Sequence, residues 1–155
     1  MPMDEMTELE WAYFAGIMDG EGNIGVYQCR MKSGKIRFSM GFNVGINSAE
    51  LVAWLVNTVG GAFYPKKIDS IRHAQTYTWC LRQPNDVKRA CIGVLPYLVI
   101  KKEQARLLMK FPVSNAKFGT GNFKGSTSFN ASVHGDKMEL YRKTLELNRR
   151  GPKVA

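Results

Sequence analysis

Residues 14–22 read Phe14-Ala15-Gly16-Ile17-Met18-Asp19-Gly20-Glu21-Gly22. Two carboxylates, Asp19 and Glu21, are set among three glycines at the end of an apolar, small-residue segment. If that segment is helical, both acids fall at its C-terminal end, where the partial negative charge of the helix favours cations. Acids placed there make electrostatic sense when a cation is to be bound. Hard oxygen ligands suit Mg²⁺, and a divalent ion set against an anionic substrate can activate water and neutralise developing charge.

The elements that must position this turn can be read on both sides of it. The first helix is expected over residues 7–19, with Thr7 as N-cap and Glu10 completing a capping box. Trp11, Phe14 and Met18 fall at i, i+3 and i+7 and predict a core-facing stripe. Ala12, Ala15 and Gly16 form a face of little bulk, which a second helix could approach closely, from the same chain or from another subunit. A hairpin follows, with strands over 23–32 and 36–44 joined by a Ser33-Gly34 turn. Its second strand alternates: Ile36, Phe38, Met40, Phe42 and Val44 point one way, Arg37, Ser39, Gly41 and Asn43 the other. In the first strand Gln28 and Arg30 share parity with Ile24 and Val26, so a bulge near Tyr27 is expected to turn Arg30 to the polar side.

Ser48 caps an expected helix over 49–59 that Gly60-Gly61 ends. A second hairpin is expected over 62–68 and 75–82, and its loop carries Asp69, Ser70, Arg72 and His73. Pro84 opens a third helix, a fourth runs over 101–111, residues 112–135 form a Gly/Ser/Asn-rich loop, and a last amphipathic helix covers 136–150. The order α-β-β-α-β-β-α argues an α+β domain spanning 1–155, its core within about 7–111 and its antiparallel sheet covered by helices on one face.

Composition narrows the partner. The 155 residues are 45% hydrophobic, as expected of a globular chain, and no apolar run could span a bilayer. No basic leader is visible. The three cysteines lack metal-site spacing, which fits a reducing, intracellular setting: the cytoplasm of a prokaryote or an organelle of a eukaryote. Net charge is +9, but residues 1–23 hold six acids and no Lys or Arg, so the rest of the chain carries all 22 basic residues against seven acids. Such a surplus points to phosphate backbone as partner. The glycine-rich segment 119–125 follows no strand and fits neither nucleotide-binding spacing, so it reads as surface loop. His73 and His134 stand alone in polar segments and read as surface residues.

The 14–22 motif resembles that of the LAGLIDADG homing endonucleases, with Phe14 and Met18 as apolar replacements and Glu21 as the second acid. The resemblance extends over most of the chain, through both hairpins and the intervening helix to a later basic segment. It implies a saddle-shaped sheet that enters the major groove of double-stranded DNA, and hydrolysis of both strands leaving short 3′ overhangs. A single motif implies a homodimer in which two motif helices pack side by side through Ala12, Ala15, Gly16 and Asp19. The two-fold symmetry then predicts a near-palindromic target. An intron is the expected origin of such a reading frame.

The resemblance also assigns roles. Glu21 matches the metal-binding acid and Gly20 a backbone carbonyl ligand, for Mg²⁺ with Mn²⁺ or Ca²⁺ able to replace it in binding. Asp19 matches the first acid, with a role more structural than catalytic. Lys101, with Lys102 in reserve, matches the active-site lysine that offsets developing charge. Asn43 and Asn47 are both candidates for the polar residue that completes the site, and the family carries a longer polar or basic side chain there. Base and phosphate contacts are expected from Asn23, Tyr27, Arg30, Lys32, Arg37, Ser39 and Asn43 on the first hairpin, and from Lys66, Lys67, Arg72, Thr76, Thr78 and Arg82 on the second. The competing expectation is a silent or bifunctional module on the same scaffold that binds DNA or helps an intron RNA fold as a maturase.

Overall fold

The structure, a computed structural model, describes residues 2–66, 75–113 and 131–149. After a 3₁₀ turn at Pro2–Glu5 come α1 (Glu8–Gly20), β1 (Gly22–Arg30), β2 (Ile36–Ile46), α2 (Ala49–Thr58), β3 (Ala62–Pro65), β4 (Tyr77–Leu81), α3 (Pro84–Val94), α4 (Lys102–Met109) and α5 (Ala131–Leu147). The expected α+β order is observed. The four strands form one antiparallel sheet in the order β1-β2-β4-β3.

Local chemistry sets the element ends. Thr7 accepts the Glu10 N–H at 3.2 Å while the Glu10 carboxylate takes the Thr7 N–H at 2.8 Å, closing the capping box. Ser48 caps α2 through the Leu51 N–H, and Gly60 and Gly61 stop it with φ of 102° and 82°, a region side chains rarely enter. The core lies between the sheet and its helices. Phe14 stacks on Phe42 and meets Trp79 edge-on, so α1 seats on the centre of the sheet. Phe38, Met40, Phe42, Val44 and Ile46 are buried along one face of β2, as their alternation requires. Met3 and Leu140 join that core from outside the 7–111 span.

Several details differ from expectation, among them the bounds of most strands and of the last two helices. The last helix begins by residue 131 and not at 136, so residues 131–135 are helical and the loop is correspondingly shorter. One reason is side-chain packing: Phe38 lies 5.2 Å from His134 and 5.5 Å from Tyr141, ring to ring, so His134 is half-buried against the sheet where a freely solvated residue was expected. β4 is trimmed to Tyr77–Leu81. Finally, no bulge interrupts β1: the register runs unbroken from Gly22 opposite Val44 to Arg30 opposite Ile36. Among the described residues no helix is long and apolar enough to cross a membrane.

Candidate active site and nucleic-acid interface

Helix α1 ends where Glu21 takes φ −123° and ψ −11°, its N–H donating back to the Ile17 and Met18 carbonyls. The chain then reverses directly beneath the last helical turn. A Cβ on Gly22 would stand 2.8 Å from the Met18 Cα, so only glycine permits this reversal. The result is that the two acids face different surroundings.

Asp19 is tied down. Its Oδ2 accepts the Val99 N–H at 2.7 Å, and its Oδ1 accepts the Ile100 and Lys101 N–H groups at 3.2 and 3.0 Å. These amides lead into α4, whose N-cap residue, Lys101, supplies no side-chain cap of its own. Asp19 takes that task across 80 residues of sequence. Lys101 returns the favour. Its Nζ donates to the Met18 and Asp19 carbonyls at 2.6 and 2.9 Å, placing a cation at the negative end of α1. Burial lowers the Lys101 pKa, against the opposing pull of the Asp19 and Glu21 charges.

Glu21 is exposed, and among the described residues its carboxylate has neither a hydrogen bond nor an ion pair. It stands between two clefts. One, of about 540 Å³, is lined by Gly20, Glu21, Asn23, Lys101, Gln104 and Asn148, among others. The other, of about 630 Å³, brings Glu21 together with Gly16, Asn47, Lys66, Thr76 and Thr78. Lys101 and Asn47 therefore flank Glu21 from separate sides. Lys102, one residue into α4, is not among the residues lining either cleft. Asn43, the other candidate at the end of β2, lies within the sheet and donates from Nδ2 to Tyr27 Oη at 2.9 Å.

The oxygen donors of this turn, the Glu21 carboxylate and the Gly20 carbonyl, fit a hard divalent cation. Among the described residues no group of three His, Cys, Asp or Glu side chains gathers around a common point.

The polar side of the sheet is a continuous surface. Asn23 faces Asn43, Tyr27 faces Ser39, Cys29 faces Arg37, and Gly45 lies opposite Thr78, itself opposite Tyr64. Lys66 extends this row beside Thr76, whose carbonyl accepts its N–H at 2.8 Å. The Arg82 guanidinium lies over the Tyr27 ring, 4.2 Å from its centroid. It reaches there across Gly41, where a Cβ would sit 2.7 Å from Arg82 Cδ. Burial pushes the Tyr27 hydroxyl up to about 12, with the Arg82 charge opposing and Cys80 adding to the rise.

Two expected positions are corrected. With the register unbroken, Arg30 opposite Ile36 lies on the helix-side parity and not with Tyr27, although it is exposed past the end of the core. Ala15 is fully buried and faces the chain's own core, so it is not part of an exposed helix face. The outer row of α1 is Leu9, Tyr13, Gly16 and Gly20, with Ala12 half-exposed beside it. Leu9 is 83% and Tyr13 54% exposed, and a Cβ on either glycine would meet nothing within 4 Å. The three- and four-residue spacing of that row was available in the sequence, hidden by reading the small residues alone. Lys32 lies exposed in the β1–β2 turn, whereas Lys67 and Arg72 lie outside the described residues.

No protein-family model matches the chain, and no curated protein matches it. Solved structures do. The homing endonuclease I-CvuI, crystallised in complex with its target in the presence of Ca, superposes with a TM-score of 0.71 at 20% identity, over 96% of this chain and 87% of that one. The archaeal intron-encoded homing endonuclease I-Vdi141I, complexed with DNA, gives 0.67 at 14% identity, over 96% and 90%. The LAGLIDADG homing endonuclease I-GzeII, in complex with a DNA target, gives 0.51 at 17% identity, over 65% and 34%. The fold of this chain is thus that of the LAGLIDADG homing endonucleases.

Proposed function

We propose that this protein is a site-specific endonuclease that cuts both strands of double-stranded DNA as a homodimer, with a divalent metal at Glu21. The carrying observation is the unpartnered Glu21 carboxylate at the C-terminal end of α1, directly after the exposed Gly16–Gly20 row and between two polar clefts. Two copies packed along that row would bring two such carboxylates together at one end of the helix pair. Leu9 and Tyr13 would then be covered, which gives their exposure a purpose.

In this reading Glu21 and the Gly20 carbonyl hold the metal, which when bound supplies water activation and charge neutralisation at phosphorus. Lys101 sets a positive charge beside the turn, Asn47 lines its other side, and Asp19 fixes the geometry of both α1 and α4. The polar sheet face meets the duplex: Arg82, Tyr27, Asn43, Ser39, Thr78 and Thr76 towards bases, Lys66, Arg37 and Lys32 towards phosphates. The DNA partners of the structural neighbours, and the Ca or Mg in which I-CvuI was crystallised, are in keeping with this assignment.

The test is cleavage of DNA carrying the chain's own insertion-site sequence, with Mg²⁺ and then with EDTA. Wild type should cut only with the metal, and Glu21→Gln should bind the same DNA yet cut at least about 10³-fold more slowly. Binding with no metal-dependent cutting by wild type would leave a binding module or maturase. Sedimentation should give the mass of two copies on DNA, and one copy per duplex would refute the dimer.

A further inference from the structure

The Lys101 cleft contains a buried oxygen with nothing to bond. Asn23 Oδ1 is shielded from solvent and has no hydrogen-bond partner among the described residues. Leaving such a group bare costs roughly 1–3 kcal/mol, so its position calls for a donor. Gly25, two residues along the same strand, marks where the surrounding polar groups converge. A Cβ there would stand 3.1 Å from Asn148 Nδ2, 3.7 Å from Asn23 Oδ1 and 3.7 Å from Thr144 Oγ1.

The neighbouring groups are already committed. Asn148 Nδ2 donates to the Ile24 carbonyl at 3.1 Å, and Thr144 Oγ1 accepts the Val26 N–H and donates to the Tyr141 carbonyl, both at 3.1 Å. Gln104, only 5% exposed, donates to Asn148 Oδ1 at 3.3 Å and so orients that amide. Asn148 keeps one unused N–H. The notch therefore sets one bare acceptor and one spare donor side by side, the polar pair that a bridging water needs. Asn23, Gln104 and Asn148 line the same cleft as Gly20, Glu21 and Lys101.

We propose that Asn23 is a positioning residue that accepts a hydrogen bond from a hydration water of the cation at Glu21, with Asn148 and Gln104 as its support. The inference rests on the cation reading given above. Uncharged amides suit the task because they orient water without adding ligand charge. Mg²⁺ gives up its waters reluctantly, so the groups around those waters shape its site.

The probe is Mn²⁺ alone, titrated into the full-length protein and followed by electron paramagnetic resonance. Glu21→Gln should lose binding. Asn23→Leu should weaken it about 10-fold, within the range usual for outer-shell partners. Asn23→Asp, which keeps an acceptor, should bind at least as tightly as wild type. Asn148→Ala, which leaves the β1 sequence unchanged but removes a hydrogen bond to its Ile24 carbonyl, should weaken Mn²⁺ binding in the same direction, and a wild-type far-UV circular dichroism spectrum and thermal midpoint for both variants exclude a misfolded strand. Wild-type affinity in both Asn23→Leu and Asn148→Ala, with Glu21→Gln still deficient, overturns the role of Asn23 and reduces the trio to support of a strand edge. Equal binding by wild type and Glu21→Gln overturns the cation reading itself, and this inference with it.

Discussion

At the end of α1 one carboxylate stands unbonded while the groups around it are pinned, whereas across the sheet Tyr27 engages both Arg82, over its ring, and Asn43, at its hydroxyl. Of the charged groups at the turn, one alone is left without a bond among the described residues. Asp19 is spent on three amides and Lys101 on two carbonyls, which leaves Glu21 as the group with capacity to spare. On the sheet face the Arg82–Tyr27–Asn43 group has instead met its needs internally. A ligand arriving at the turn adds bonds, and a ligand arriving at Arg82, Tyr27 and Asn43 must replace them. The first arrangement suits tight, chemistry-bearing contact with a cation. The second suits discrimination, since only a partner that restores every exchanged bond is tolerated.

The contrast can be broken most forcefully at Asp19. Asp19→Ala would strand three N–H groups at the start of α4 and detach the turn from it. Thermal unfolding should show a loss of about 3 kcal/mol, since bonds to a charged acceptor are among the stronger ones. Asp19→Asn, which keeps one acceptor, should recover part of it. An unchanged midpoint in Asp19→Ala would mean that the pinning is incidental.

A smaller effect should follow from Gly41→Ala. The added Cβ would approach Arg82 Cδ and the Leu81 carbonyl to 2.7 Å, forcing the guanidinium off Tyr27. Overpacking of this kind costs about 1–3 kcal/mol. DNA affinity measured by titration should fall more than in Gly45→Ala, where a Cβ on the same sheet face meets nothing within 4 Å. Equal affinities would show that the Arg82 placement is not used in binding.

The smallest change at neutral pH belongs to Tyr27→Phe, which forfeits one hydrogen bond to Asn43, worth about 1 kcal/mol. Its pH dependence sharpens the point. The Tyr27 hydroxyl is pushed from 10.0 up to about 12, so the folded state holds its proton more firmly than the unfolded chain does. The stability this provides is complete below pH 10 and is lost as pH rises towards 12. In urea unfolding, the difference between wild type and Tyr27→Phe should shrink across that window, and a constant difference would contradict the buried phenol.

Much of this organisation is visible in the sequence because it is local. The capping box at Thr7 and Glu10, the alternation of 36–44 and the glycine stop after α2 each depend on residues within a few positions of one another. So does the acidic turn itself. The errors arise where a local rule met a non-local one. The charge of Arg30 argues for the polar face, but strand parity is strict, and beyond the edge of the core the helix-side face is wet enough for an arginine. Ala15 looked like part of a bare helix surface, yet Phe14 and Met18 pull it inward. The bonds from Thr144 and Asn148 to β1, and the clasp between Asp19 and Lys101, join residues 80 or more positions apart. No periodicity records such contacts.

The way α5 meets β1 has a consequence for how copies of this chain can associate. β1 is an outer strand, and such strands ordinarily present bare amides that recruit neighbours. Here the hydroxyl of Thr144 and the amide of Asn148 occupy the Val26 and Ile24 main-chain groups, while the opposite margin is only the four residues of β3, ending in Pro65. Lateral growth of the sheet into a fibre or a strand-swapped pair is discouraged on both flanks, and self-recognition is steered away from backbone pairing towards side-chain surfaces.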